Sequence, residues 1–309
     1  MSSYTLNDYF VTPKQLDAAL KKNVHSKIST APKLIPLCAS WFLPTDSRNG
    51  YDTFKQSRIP HARFFDLDAV KDPDSPYPHM LPSAQDFAKA MGQLGIRRDD
   101  DVVVYDSKEL GIFSAPRVAW TLRVFGHPNV HVLNNFRLWV DQGYPVEEGE
   151  PTLAEPAEYT GAELDRSQVV AFDEVREIAK EQGKEGAEEV QILDARSKGR
   201  FDGTDPEPRE GLSSGHIPHS ISVPISDLLD PDSKELLTPN NLKKVLESKG
   251  VDPAKPIISS CGTGVTAAIV DAALWQAGYP AEKRRLYDGS WTEWAQRVTP
   301  SESLIRKNE

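Results

Sequence analysis

The sequence repeats itself once, and this internal similarity restricts the possible folds more than any other feature. Residues 59–61 (Ile-Pro-His) and 72–75 (Asp-Pro-Asp-Ser) recur in the same order at 217–219 and 230–233. Repeats of about 20–50 residues would indicate a solenoid, whereas this much longer unit indicates that a whole domain was duplicated. A chain of 309 residues also exceeds what one hydrophobic core usually organises. We therefore expect two domains of similar fold.

Short apolar strands alternate with helical segments in both halves. The predicted strands are 102–106, 130–133, 190–194, 257–261 and 285–287, and predicted helices include 169–182 and 240–249. This alternation predicts an α/β fold, with a mainly parallel sheet flanked by helices in each half. The acidic, proline-containing segment 147–166 is interpreted as a linker on the surface. The predicted domains are therefore 1–146 and 167–309.

One cysteine stands where a predicted strand of the second half ends. Cys261 stands at the end of that strand, where it enters a loop, and is followed by Gly262 and Gly264. Loops at the carboxyl ends of parallel strands form the ligand sites of such sheets. Glycines allow backbone N–H groups to point inward and bind an anion, and the positive end of the next helix adds to this effect. We expect the loop to favour a thiolate and to hold a persulfide anion.

Three other interpretations of this loop fit less well. A dinucleotide site requires three spaced glycines after the first strand of its unit, and this loop has only two. A cysteine-dependent phosphatase requires an arginine six positions after the cysteine, where this chain has Ala267. An incidental cysteine in a turn remains an alternative, but the repeat argues against it. The other cysteine, Cys38, lies in an apolar run and is interpreted as a buried thiol.

The loop sequence and several further segments resemble a known family. Residues 261–267 (Cys-Gly-Thr-Gly-Val-Thr-Ala) are similar to the active loop of the mercaptopyruvate type of tandem rhodanese-like sulfurtransferases, and the similarity extends over residues 41–294. Thiosulfate-using rhodaneses typically carry arginine and lysine after the cysteine, whereas Gly262 and Thr263 are uncharged. The combination is most similar to eukaryotic members linked to thiolation of the wobble uridine of transfer RNA.

The resemblance implies two domains with the rhodanese-like fold, a reaction and a set of residues. Cys261 would take sulfur from 3-mercaptopyruvate as a persulfide, release pyruvate, and pass the sulfur to a thioredoxin-like or other thiol acceptor without cofactor or metal. The residues implied in catalysis are Cys261, Thr263, His79 and Asp68. The residues implied in substrate binding are Arg196, Arg209, Gly262, Gly264, Val265 and Thr266.

Structural roles are the alternatives for four of these residues. Arg196 can be a surface cation, Arg209 can pair with a neighbouring glutamate, His79 can be a hydrogen-bonded loop residue, and Asp68 can cap a turn. Two other functions are alternatives: a thiosulfate sulfurtransferase, and a regulatory module that keeps the rhodanese fold without turnover. An intact Cys261 argues against the regulatory module.

The first half differs from the second at the decisive position. Asp106 stands where the second half has Cys261, and an aspartate cannot form a persulfide. The first half is therefore predicted to be inactive as a sulfur carrier. We expect it to form one wall of an interdomain cleft, which is a common place for a ligand pocket.

Charge and hydropathy exclude some classes of partner. A net charge of −10 argues against direct binding of nucleic acid, so a role in transfer RNA thiolation would pass through protein partners. The sequence has no run of about 18 apolar residues, so no membrane span is expected. Residues 1–20 lack the pattern of a secretion or transit signal. A cytosolic location is expected, with the mitochondrion as a second possibility.

Overall fold

Each half of the chain folds around a five-stranded sheet. The computed structural model describes residues 6–23 and 31–308. The predicted start of the first domain at residue 1, the predicted end of the second at residue 309, and residues 24–30 lie outside the described residues. The strands of the first half are β1 (Phe10–Val11), β2 (Leu34–Cys38), β3 (Arg63–Phe64), β4 (Asp101–Tyr105) and β5 (Val130–Leu133). Those of the second half are β6 (Val169–Val170), β7 (Gln191–Asp194), β8 (Ile221–Ser222), β9 (Ile257–Ser260) and β10 (Arg284–Tyr287).

The two sheets have the same topology. The strand orders are β1-β5-β4-β2-β3 and β6-β10-β9-β7-β8, so every strand of the second sheet occupies the place of its counterpart five strands earlier. All neighbouring strands are parallel. This arrangement confirms the predicted α/β class and the duplication. It also places the ends of β4 and β9, and hence Asp106 and Cys261, at equivalent positions.

Helices cover both sheets, as expected for parallel strands that need crossover connections. The helices are α1 (Pro13–Leu20), α2 (Gly50–Gln56), α3 (Ala84–Gln93), α4 (Ala115–Val124), α5 (Phe136–Asp141), α6 (Phe172–Glu181), α7 (Lys198–Asp202), α8 (Pro239–Ser248), α9 (Ala267–Gln276) and α10 (Ser290–Arg297). Several begin where the sequence offers a cap, as at Thr12 and Ser83, whose hydroxyl groups accept backbone N–H bonds. Within the described ranges, no helix has the length and apolarity to cross a lipid bilayer.

One predicted helix boundary is wrong. The sequence pattern extended a helix over residues 169–182, but Val169–Val170 form the edge strand β6, which pairs with β10, and α6 begins only at Phe172. Two adjacent β-branched residues favour a strand, and the pairing with β10 outweighs the helical spacing further on.

The two halves pack together through α4 and α9, which contact each other. Both helices are buried on nearly all sides, and the largest hydrophobic cluster contains residues of both halves. Tyr9 of the first half also stacks on Trp275 of α9, with ring centroids 4.3 Å apart. The ends of β4 and β9 therefore face a shared boundary.

The predicted linker, 147–166, runs along the first half. The backbones of Arg58 and Glu147 exchange two hydrogen bonds, and the buried Tyr159 hydroxyl lies 2.9 Å from Nδ1 of His127. The segment therefore has defined contacts with the first half along its length. Its boundaries as a linker remain a prediction.

Candidate active site

Cys261 begins the loop that joins β9 to α9, and only 2% of its surface is exposed. Its N–H donates to Oγ of Ser290 at 3.1 Å, and its carbonyl accepts from the N–H of Trp291 at 2.9 Å. The carbonyl of Gly262 accepts from the N–H of Thr292 at 2.9 Å. The first turn of α10 therefore fixes the backbone on both sides of the cysteine.

The rest of the loop has the features of an anion cradle. Within the described residues, the N–H groups of residues 262–266 have no acceptor in the protein. Gly264 takes a φ of +76°, which turns the chain, and Thr266 directly precedes the first residue of α9. Val265 is buried and packs in the shared core. Free N–H groups next to the start of a helix can stabilise a thiolate or a persulfide anion.

The two glycines of the loop have different roles. A Cβ atom on Gly264 would lie 2.5 Å from Nη1 of Arg117 and 2.7 Å from the carbonyl oxygen of Asp288, so only glycine fits. Gly262 has no positive φ, and a Cβ there would meet only Nη2 of Arg200, at 3.1 Å. The expectation that both glycines supply special backbone conformations is right for Gly264 and wrong for Gly262.

Three of the predicted residues form a continuous chain of hydrogen bonds. Nδ1 of His79 lies 3.0 Å from Oγ1 of Thr263, and Nε2 lies 3.0 Å from Oδ1 of Asp68. Oδ2 of Asp68 accepts from the indole N–H of Trp41 at 2.9 Å. Asp68 and His79 belong to the first half, whereas Thr263 lies two residues after Cys261. The fold thus brings residues from both halves to the reactive loop.

The protonation of His79 follows from its burial and from its hydrogen bond with Asp68. The His79 side chain is fully buried, and this burial lowers the pKa of the imidazole, although Asp68 opposes the effect. The hydrogen bond with His79 is the main cause that lowers the pKa of Asp68. A neutral imidazole beside a carboxylate carries its proton on the nitrogen that faces the carboxylate. Nε2 therefore donates to Asp68, and Nδ1 accepts the hydroxyl proton of Thr263.

Arg196 has no free side-chain nitrogen to offer a substrate. Its side chain is completely buried, and its three nitrogens donate to the carboxylates of Asp194 and Glu207 and to the carbonyl of Gly215. Its guanidinium also lies over the ring of Trp291, 4.1 Å from the centroid. Because every nitrogen has a protein partner, this arginine supports its neighbours and is poorly suited to bind a substrate.

Arg200, which the sequence reasoning did not assign, lies where Arg196 was expected. Nε and Nη2 of Arg200 donate to Glu207, which also receives Nη1 of Arg196. Nη2 borders Gly262, since a Cβ atom added to that glycine would lie 3.1 Å from this nitrogen. Nη1 of Arg200 has no partner within residues 6–23 and 31–308. The sequence signal was present in the segment Gly-Arg-Phe at 199–201, but the segment alone does not distinguish the two arginines.

Arg209 is half-buried near the same loop. Burial lowers the pKa of its guanidinium, the Arg200 cation lowers it further, and interactions with Asp68 and Cys261 oppose both effects. Within the described part of the chain, Arg209 forms no ion pair with Glu207, which is occupied by the other two arginines. Two guanidinium groups with unused donors, those of Arg200 and Arg209, therefore lie beside the cysteine loop.

An open cleft of about 400 Å³ lies next to these residues, between the two halves. Tyr77 and Pro78 line it from the first half, and Arg209, Leu212 and Thr292 line it from the second. Thr292 also donates its N–H to the carbonyl of Gly262, so the cleft adjoins the reactive loop. The prediction that the first half forms one wall of an interdomain cleft is confirmed.

The equivalent loop of the first half is filled by its own side chain. The buried carboxylate of Asp106 accepts bonds from the N–H groups of Phe113, Ser114 and Ala115 and from the Ser114 hydroxyl, at 2.6–3.1 Å. Burial is the main cause that raises the pKa of this carboxyl. The first-half loop thus already holds an anion of its own, the carboxylate of Asp106, if that group is ionised, whereas the second-half loop keeps its N–H groups free of acceptors within the described residues.

The second cysteine is unsuited to react. Cys38 lies at the end of β2, fully enclosed in the core, with Sγ 3.2 Å from Oγ of Ser40. Burial raises the pKa of its thiol to about 12, so almost none of it is thiolate at neutral pH. The interpretation of Cys38 as a buried thiol is confirmed.

Comparisons with known proteins show the family to which this chain belongs. The sequence model of the protein family described as the rhodanese-like domain matches residues 175–297. A probable 3-mercaptopyruvate sulfurtransferase of Schizosaccharomyces pombe is 42% identical over 92% of this chain and 94% of its own length. The thiosulfate sulfurtransferase TUM1 of Saccharomyces cerevisiae is also 42% identical, over 87% and 90%. The sulfur transferase subunit of yeast mitochondrial complex I superposes with a TM-score of 0.85 at 38% identity, over 98% of this chain and all of that chain. The chain therefore belongs to the family of two-domain rhodanese-like sulfurtransferases.

Proposed function

We propose that the protein takes sulfur from 3-mercaptopyruvate onto Cys261 as a persulfide, releases pyruvate, and passes the sulfur to a thiol. The observation that carries this choice of donor is the hydrogen-bonded chain in which the buried Thr263 and His79 connect to the exposed Asp68, beside the cysteine loop. The names of the relatives do not decide the donor, because mercaptopyruvate and thiosulfate sulfurtransferases match at the same identity. The chemistry of the site has to decide it.

The reaction moves one proton. The Cys261 thiolate attacks the donor sulfur, the carbon–sulfur bond breaks, and its electron pair leaves on the three-carbon fragment as the enolate of pyruvate. The thiol proton of mercaptopyruvate ends on the methyl carbon of pyruvate, and the enzyme keeps a persulfide anion. The free N–H groups of residues 262–266 support that anion.

A proton relay serves this donor and not thiosulfate. Thiosulfate releases sulfite, which is stable as an anion and needs no proton on carbon. The enolate of pyruvate does need one, and a hydroxyl that shares its proton with a neutral imidazole can deliver and recover it. Thr263 and His79 have this relationship, and Asp68 holds the imidazole in the required tautomer.

Two arginines are suited to orient the donor. Arg200 and Arg209 have guanidinium groups beside the loop, and a planar guanidinium pairs with a carboxylate and polarises a ketone. We assign them to the carboxylate and ketone of mercaptopyruvate. Arg196 then acts indirectly, because it fixes Glu207, which in turn orients Arg200.

The acceptor side of the reaction is open to several thiols. We propose a thioredoxin-like protein or a small thiol as acceptor, in the cytosol and, by analogy with the yeast complex I subunit, in mitochondria. A supply of sulfur to transfer RNA thiolation, implied by the sequence resemblance, stays a prediction and would require a protein relay. Transfer of labelled sulfur from the loaded enzyme to thiolation proteins would support it, and no transfer to any of them would exclude it.

The central test combines pyruvate release with intact mass. Incubation with mercaptopyruvate alone should add one sulfur atom, about 32 Da, to the wild type, and a thiol acceptor should then allow turnover. Cys261→Ser should show neither, whereas the matched control Cys38→Ser should keep both because its thiol is buried away from the cleft. Absence of a mass gain and of pyruvate in the wild type, with activity on thiosulfate, would assign the donor to thiosulfate instead.

A further inference from the structure

A single buried arginine of the first half joins three parts of the active site. Arg117, in the first turn of α4, is 1% exposed. Its Nη2 donates to the carbonyl of His79 and to Oδ1 of Asp288, both at 2.6 Å, and its Nη1 donates to the carbonyl of Gly264 at 3.3 Å. One rigid guanidinium therefore links the backbone of the relay histidine to the backbone of the cysteine loop.

Asp288 completes this link from the second half. It directly follows β10, and its Oδ2 accepts from the N–H of Leu81 at 2.8 Å. The segment that carries His79 is therefore held at two points, by Arg117 at the carbonyl of His79 and by Asp288 at the N–H of Leu81. His79 itself has a φ of +63°, a conformation that a non-glycine residue keeps only when its surroundings hold it.

The internal repeat shows that the fold does not need an arginine at this position. α4 and α9 both have ten residues and both begin with alanine, so Arg117 corresponds to Ile269, which is fully buried. At this position of the equivalent helix, the second half therefore packs an apolar side chain. A buried guanidinium is unfavourable unless it is paired, so its presence at the domain boundary calls for a reason beyond packing.

We propose that Arg117 is a positioning residue for the donor half-reaction. It holds His79 at the distance from Thr263 that proton transfer requires. This inference rests on the proposed function, because it assigns Arg117 to the relay that protonates the pyruvate enolate. Arg117 acts through the backbone of His79 and Gly264 and does not face the cleft. Asp288 shares the role, since it holds Arg117 and Leu81 at once.

The first variant to measure is Arg117→Lys, which keeps the buried charge. An ammonium group cannot reach three separated acceptors with the geometry of a planar guanidinium, so the relay should shift. The rate of pyruvate release in a single turnover should fall about 100-fold, as expected for a displacement of about 1 Å at a reacting group. The concentration of donor that gives half the maximal rate should change less than about twofold. Sulfur transfer from preformed persulfide to a thiol should keep its rate.

A matched control and a double variant separate positioning from folding. Arg123→Lys alters another α4 arginine at the domain boundary, one that pairs with Asp271 away from the relay, and should leave both half-reactions unchanged. In a His79→Asn background, Arg117→Lys should cause no further loss, because it acts through the histidine. If Arg117→Lys does not fold, Asp288→Asn tests the same link with the arginine in place.

The outcomes distinguish this inference from the proposed function. A wild type that releases no pyruvate overturns both. A wild type that releases pyruvate, with Arg117→Lys at a similar rate, overturns only the inference. Equal slowing of both half-reactions, or a loss that adds to that of His79→Asn, also overturns it, since a merely structural role would give that result.

Discussion

Nδ1 of His79, in the first half of the chain, lies 3.0 Å from Oγ1 of Thr263 in the second half. The cysteine loop by itself carries no side-chain base, so the catalytic half receives one from a half whose own loop is filled by Asp106. This relationship explains why a duplicated chain retains a copy without a cysteine. In the proposed mechanism the first half contributes the acid–base group, and it forms one wall of the cleft.

Replacement of His79 should affect the two possible donors differently. We expect His79→Asn to lower turnover with mercaptopyruvate by about 10²–10⁴, the usual contribution of a positioned proton-transfer group. Turnover with thiosulfate should change much less, because sulfite leaves without a proton. Steady-state assays with each donor measure this, with His131→Asn, a buried histidine that contacts the carbonyl of Asp8, as control. An equal loss with both donors would contradict the assignment of a proton relay.

The three arginines near the cysteine should separate into one structural residue and two that bind the donor. Arg196→Leu leaves the buried carboxylate of Asp194 without its cation and removes one of the two arginines that pair with Glu207, so unfolding should become easier by about 3–5 kcal/mol. Arg200→Leu and Arg209→Leu should instead raise the KM for mercaptopyruvate about 10- to 100-fold, as expected for a lost hydrogen bond to a charged group. Urea denaturation and steady-state kinetics on the same three variants provide the comparison.

The reverse pattern would return the binding role to Arg196. In that case Arg196→Leu would keep wild-type stability and lose donor affinity, while Arg200→Leu would bind mercaptopyruvate normally.

The two loop glycines offer a matched pair of substitutions. Gly264→Ala places a methyl group 2.5 Å from Arg117 and requires a φ of +76°, so we expect loss of activity and lower stability. Gly262→Ala meets only the flexible end of Arg200, at 3.1 Å, so the fold should remain and only the donor KM should rise. Thermal unfolding and activity are the readouts. Equal tolerance of both alanines would show that the loop adapts more freely than its contacts indicate.

The sequence allowed the fold to be predicted because the repeat and the alternation of strands and helices are local patterns. The strand at Val130–Leu133 was predicted with its observed bounds, and the position of Cys261 after a buried strand followed from the same pattern. The pairing of Val169–Val170 with β10 is a long-range contact, so a local pattern extended the helix over it. The meeting of His79 with Thr263, 184 positions apart, came from family resemblance and not from spacing.

Arginine roles were the least accessible to sequence reasoning. Arg196 and Arg200 both follow β7, and what separates them is that carboxylates surround the first while the second borders Gly262. No sequence pattern distinguishes Arg117, because α4 has the composition of an ordinary core helix. Burial and partner geometry distinguish a substrate-binding arginine from a supporting one, and both depend on the folded chain.

His127 should make stability depend on pH. It is 3% exposed, Nε2 donates to the carbonyl of Asp100, and Nδ1 accepts from Tyr159 of the linker. Burial lowers its pKa from 6.5 to about 4, so the unfolded chain binds a proton between these values that the folded chain does not. Its contribution is therefore complete above pH 6.5 and is lost as pH falls towards 4. Between pH 7 and pH 5 this loss should be about 2 kcal/mol.

Urea denaturation of the wild type and of His127→Gln at both pH values isolates this effect. The variant should be less stable at pH 7, because the histidine packs in the core, but it should lose about 2 kcal/mol less than the wild type on acidification. His219→Asn, an exposed histidine with φ of +62°, should retain the wild-type dependence. A parallel decline of His127→Gln and wild type would mean that His127 is protonated in the fold at pH 5, and that the linker contact at Tyr159 tolerates the charge.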